Sequence, residues 1–87
     1  MTSLNGAIVL ITGANGGLGT ALVHEAIDRG AVRVYAGARN PKDWGNDRIV
    51  PLTLDLTDPA SIEKAAETAG DTTVLINNAA IFARSDL

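Results

Sequence analysis

The chain has 87 residues and a formal charge of −3 with no basic cluster, which argues against a nucleic-acid partner. It has no cysteine, which excludes disulfides and thiolate metal sites and fits a cytoplasmic protein. The early apolar run Ala7 to Ile11 is too short to cross a bilayer, and no basic residue precedes it to make a secretory signal. With 46% hydrophobic but only 3% aromatic residues, one small domain must build a modest aliphatic, alanine-rich core.

Ala7 to Ile11 reads as a strand covered on both faces, because its apolar run is unbroken. Thr12 to Gly19 follows as a glycine-rich turn. Leu18 to Arg29 is expected to be a helix, with Leu18, Ala21, Leu22 and Ala26 on its apolar face and Gly30 as a left-handed cap. Val32 to Ala38 is a second strand, with Val32, Val34 and Ala36 alternating. Pro41, Trp44 and Gly45 limit any helix in Asn40 to Asp47 to about one turn. Ile49 to Leu54 is a third strand, and Pro51 assigns it to an edge. Asp58 can cap the next helix, with Pro59 at its first position. Ile62, Ala65, Ala66 and Ala69 form that helix's stripe and Gly70 ends it. Thr73 to Ile76 is a fourth strand.

Strands alternating with helices imply a parallel sheet with right-handed crossovers. The expected fold is an α/β, Rossmann-like half-fold with helices on both faces and strand order 3-2-1-4. Helices after strands 1 and 2 would cover one face, and Pro59 to Ala69 the other. A ligand would lie at the switch point between strands 1 and 4.

The glycine loop supplies the chemistry. Gly13 permits a tight turn out of the strand, and Gly17 and Gly19 lack side chains that would keep a phosphate from the backbone. The amides at the start of the following helix then face the anion, and the helix dipole favours its charge.

The spacing G-x-x-x-G-x-G at Gly13, Gly17 and Gly19, preceded by Thr12, resembles the short-chain dehydrogenase/reductase family. Leu54-Asp55-Leu56 and Asn77-Asn78-Ala79-Ala80, each at the end of an expected strand, extend the likeness. Ala80 departs from it, standing where the family's N-N-A-G element has glycine. The resemblance implies a dinucleotide site formed by Gly13, Asn15, Gly16, Gly17, Leu18, Gly19, Arg39, Asp55, Leu56, Asn78, Ala79 and Ala80. Asp55 also reads as a plain loop residue, and Asn77 and Asn78 as partners for backbone groups at a strand end. Strand 2 ends in Ala36-Gly37-Ala38-Arg39, with no carboxylate for a ribose 2′-hydroxyl and an arginine suited to a 2′-phosphate, so NADP is favoured over NAD.

The family's catalytic serine and Tyr-x-x-x-Lys pair have no match here. Tyr35 is the only tyrosine, and Arg39 stands four residues after it. Ser85 lacks such partners, and His24 reads as a surface residue. Neither a catalytic nor a metal-binding residue is assigned, and a conventional alcohol dehydrogenase reaction is not expected, since a new alkoxide needs a proton donor. Hydride transfer belongs to the nicotinamide itself. The expected activity is therefore of diaphorase type, from NAD(P)H to a quinone, a dye, FMN or another flavin. The alternative is a non-catalytic nucleotide-binding module, or one fragment of a split or truncated dehydrogenase. Open apolar sheet surface and the edge of strand 4 point to a homodimer.

Overall fold

The computed structural model describes residues 3–78. Its elements run β1 (Ile8–Thr12), α1 (Gly17–Asp28), β2 (Arg33–Ala38), β3 (Ile49–Thr53), α2 (Pro59–Thr68) and β4 (Val74–Ile76). All strand pairs are parallel, as the alternating pattern implies, and the sheet order is the expected β3-β2-β1-β4. The register sets Leu10 beside both Tyr35 and Leu75, and Gly37 beside Leu52.

Strand periodicity divides the apolar residues between two faces. Val9, Ile11, Val34 and Ala36 pack with Val23 and Ala26 of α1 on one side. Tyr35, Leu52 and Leu54 pack with Ala65 of α2 and its C-cap Ala69 on the other. Val9, Ile11, Val23 and Val34 are fully buried. Each contributes about 1.5–3 kcal/mol of transfer free energy before conformational entropy is counted.

The helices are bounded largely as the sequence predicts. Asp58 accepts the Ala60 N–H at 3.0 Å, with Pro59 at the first helical position. Gly30 takes φ +98° just beyond α1. The buried stripe of α1 differs from the expected one: Gly19, Val23 and Ala26 face the sheet, while Leu18 is 66% exposed. The cause is the close approach of Gly19 to the Gly13 turn, which sets the helix's rotation and swings Leu18 outward. In α2 the inward residue is Ala65, joined by the C-cap Ala69, while Ile62 is 41% exposed.

No helix follows β2, so α1 is the helix on its face among the described residues. Local side-chain bonds win over helix formation in this connection. Asp43 accepts the Gly45 N–H and Asn46 accepts the Arg48 N–H, both at 2.9 Å. Trp44 packs against the α1-side core, edge-on to His24, which is exposed as expected. The Arg48 guanidinium donates to the carbonyls of Ile27 and Ala31, closing the C-terminal end of α1 with a cation.

α2 packs on β3, so among the described residues no helix covers the part of that face formed by β1 and β4. Leu75 there is 61% exposed, and Ile8 and Leu10 are only partly buried. No helix among the described residues is long and apolar enough to cross a membrane.

Candidate dinucleotide-binding site

The site forms where β1, β2 and β4 end. Gly13 leaves β1 with φ +66°, a conformation that side chains resist. The Ala14 N–H donates to the Gly37 carbonyl at 3.0 Å, tying the turn to β2. The Thr20 hydroxyl donates to the Ala14 carbonyl at 2.9 Å, tying it to α1. Asn78 Nδ2 donates to the Gly13 carbonyl at 3.3 Å, and the Thr12 hydroxyl to Asn77 Oδ1 at 3.0 Å. The turn is thus held from three sides.

The three glycines of the motif meet different surroundings. A Cβ on Gly19 would strike the Gly13 carbonyl oxygen and lie 2.9 Å from Ala14 Cα, so packing alone demands glycine there. A Cβ on Gly17 would meet nothing within 4 Å. Packing does not account for Gly17, and its open side is where a ligand can approach the backbone. Gly16 has only an ordinary contact, 3.6 Å from the Gly13 carbonyl oxygen.

α1 begins at Gly17 with no side-chain cap. The amides of Gly17, Leu18 and Gly19 therefore lack the intrahelical acceptors that later residues have. Undercapped amides, a positive helix end and a vacant side at Gly17 fit a pyrophosphate.

β2 delivers Arg39 to the same rim. Arg39 is exposed and makes no hydrogen bond or ion pair among the described residues. Asp55, at the end of β3, sits close enough to feel its charge. The Asp55 carboxyl lies below its ordinary value first because the Thr57 hydroxyl donates to it, then because the Thr57 N–H does, and last through Arg39, with desolvation opposing. The two Thr57 bonds are 2.7 and 2.9 Å long and both end on Oδ1. The Asp55 N–H donates in turn to the Ser61 hydroxyl at 2.9 Å. Asp55 thus shapes its own turn, and Leu56 packs half-buried against the α2-side core. Asn15 reaches sideways, its amide donating to the Asn40 carbonyl at 2.7 Å.

The structure gathers Gly13 to Gly19, Arg39, Asp55 and Asn78 along the C-terminal ends of the strands. Ala79, Ala80 and Ser85 lie outside the described residues. Sequence reasoning overlooked Gly37, where a Cβ would come within 3.1 Å of Leu54 Cδ2 and 3.2 Å of the Ile11 carbonyl. An isolated glycine inside a strand was the available signal. It also overlooked Thr57, which the Asp-x-Thr spacing could have marked as a turn partner. Tyr35 is buried in the middle of β2, its hydroxyl donating to Asp71 Oδ1 at 2.8 Å. Among the described residues, no three His, Cys, Asp or Glu side chains form a metal-binding group.

A parallel sheet with a glycine-rich turn at its switch point and an uncapped helix N-terminus defines a Rossmann-like dinucleotide-binding half-fold. Residues 7–87 match the family model described as short chain dehydrogenase, and the chain belongs to that family. It is 38% identical over 88 residues to a 3-oxoacyl-(acyl-carrier-protein) reductase FabG of Salmonella typhimurium, covering 91% of this chain and 36% of the relative. It is 34% identical over 99 residues to the short chain dehydrogenase pigC of Monascus ruber, covering 93% of this chain and 33% of that protein. A crystal structure of a short chain dehydrogenase from Burkholderia cenocepacia J2315 in complex with NADP superposes with a TM-score of 0.83 at 39% identity. The match covers 92% of this chain and 33% of that one. The chain spans about a third of the length of these relatives.

Proposed function

We propose that this chain is the NADP(H)-holding part of an oxidoreductase, with NADP preferred over NAD. The observation that carries the reading is Gly17: packing leaves its open side unexplained, while the amides beside it are undercapped. A dinucleotide pyrophosphate fits that surface by size and charge. Arg39 supports the preference, as a guanidinium on the rim with no ion pair among the described residues can form charge-assisted bonds to a 2′-phosphate. The solved Burkholderia cenocepacia relative is a complex with NADP, in line with this choice.

A bound nicotinamide supplies the hydride. The residues of this chain bind and orient it: the glycine-loop amides hold the pyrophosphate, Arg39 the adenosine phosphate, and exposed Leu18 offers an apolar surface at the mouth of the turn. The Salmonella typhimurium relative is named a 3-oxoacyl-(acyl-carrier-protein) reductase, so the proposed reaction class is carbonyl reduction carried out with further residues. Transfer to a flavin, quinone or dye draws no support from any contact in the site. Oxidation of NADPH with and without a dye acceptor decides between binding alone and diaphorase turnover.

Titration of the chain with NADPH and NADH, followed by nucleotide fluorescence, tests the main reading. Saturable binding with NADPH tighter is the expected result, and binding of neither nucleotide overturns it. The assembly proposed is a homodimer that covers Leu75 and the β4 edge, supported by their exposure. Light scattering giving a monomer mass at micromolar concentration contradicts it.

A further inference from the structure

We infer that Asn15 is a positioning residue for nucleotide choice, acting through Arg39 by stapling the β2–β3 connection to the glycine turn. The inference rests on the proposed NADP site and adds a determinant that its phosphate contacts do not include.

The geometry clamps Arg39 on both sides. The carbonyl of Ala38, just before it, accepts the Leu54 N–H at 2.9 Å. The carbonyl of Asn40, just after it, accepts the Asn15 amide at 2.7 Å. The first clamp belongs to the sheet and forms with the fold. The second is one side-chain bond across 25 positions of sequence, between two exposed residues. Pro41 follows at once, so Asn40 is further confined to extended backbone.

Without the Asn15 bond, the described residues would hold the connection beyond Arg39 at Trp44, which packs against the core, and at Arg48. Lys42 does not replace it, since its ammonium sits 4.2 Å from the centre of the Trp44 ring. Arg39 carries a long, flexible side chain with no partner of its own among the described residues. Its usefulness to a 2′-phosphate therefore depends on where its backbone is held, because ordering lost in the free protein must be regained on binding. The other end of the staple is equally well placed. Asn15 follows Ala14, whose N–H is fixed to Gly37, so movement of the turn and of the Arg39 segment is coupled. Asn15 thus spends its amide on protein backbone and acts on the nucleotide indirectly.

The test compares NADPH and NADH affinities in wild type, Asn15→Ala, Arg39→Ala and the double variant. Loss of one exposed hydrogen bond predicts about a three- to tenfold fall in the NADPH-to-NADH affinity ratio for Asn15→Ala. In the Arg39→Ala background the same change should alter the ratio less than about twofold, because its target is gone. Asn15→Gln, which retains an amide donor, should recover the larger part of the ratio. An unchanged ratio in Asn15→Ala, or full additivity with Arg39→Ala, overturns the inference while leaving the nucleotide site intact. A wild-type chain that binds neither nucleotide overturns the proposed function, and the inference with it.

Discussion

The two ends of the sheet differ in which polar groups they leave without a protein partner among the described residues. At the end where the strands begin, charges and hydroxyls are consumed by the protein itself. Arg33 donates to Asp71 at 2.8 Å, Tyr35 donates to the same carboxylate, and Arg48 caps α1. At the end where the strands finish, the amides of Gly17 to Gly19 have no side-chain cap and Arg39 has no ion pair among the described residues. The first end spends its polar groups on the fold; the second also bonds Asp55, Asn15 and Asn78 within the chain, but it leaves the start of α1 without a side-chain cap, where the proposed ligand would sit. Substitutions at the two ends should therefore fail differently.

The sharpest contrast is expected within the glycine turn. Gly17→Val places a side chain in open space, so NADPH affinity should fall about a hundredfold or more as several charge-assisted bonds are blocked. The melting midpoint should move by less than about 4 °C, corresponding to under roughly 1 kcal/mol in a domain of this size. Gly19→Ala should reverse that pattern and lose about 1–3 kcal/mol of stability through overpacking against the Gly13 carbonyl. Thermal melts beside nucleotide titrations separate the two, and a large loss of stability in Gly17→Val would erase the distinction. Arg39→Asp should lower NADPH affinity relative to NADH by roughly 10–100-fold, the worth of one charge-assisted contact. Equal loss for both nucleotides would remove Arg39 from the 2′-phosphate.

At the opposite end, Tyr35→Phe should cost about 0.5–1.5 kcal/mol in denaturant unfolding and leave the nucleotide affinities within about twofold of wild type. A change in affinity there would break the division between the two ends. The smallest effect concerns Asp55, whose carboxyl lies below its ordinary 3.8 in the folded chain. A lowered folded value means that its contribution is complete above the unfolded value and is lost as pH falls through the folded one. Thr57→Ala removes the largest cause and should move the Asp55 titration upward toward the ordinary value, as read by carboxyl-carbon NMR. An unmoved titration would show that another group holds the carboxylate.

Much of this was legible in the residues themselves. Unbroken apolar runs, the Asp58-Pro59 start and Gly30 are local signals, and parallel pairing followed from the alternation of strands and helices. The rotation of α1 was not legible, because Leu18 is as apolar as Val23. Only the approach of Gly19 to Gly13 decides which of them turns inward. The helix expected to accompany α1 after β2 was misjudged for a similar reason. Its residues prefer side-chain turns and a packed Trp44, a choice visible only against the α1 core.

The sequence by itself determined the parallel half-fold, the glycine cradle and the family likeness, since each depends on residue type and spacing over short stretches. The tertiary structure decided how the work is divided among those residues. Gly19 serves the turn, Gly17 faces open space, Asp55 is bound up with Thr57, and Asn15 ties down the segment that carries Arg39. Those roles depend on contacts between segments far apart in the chain. The distance from one backbone to another is what tells a glycine needed for packing from one that leaves room for a ligand.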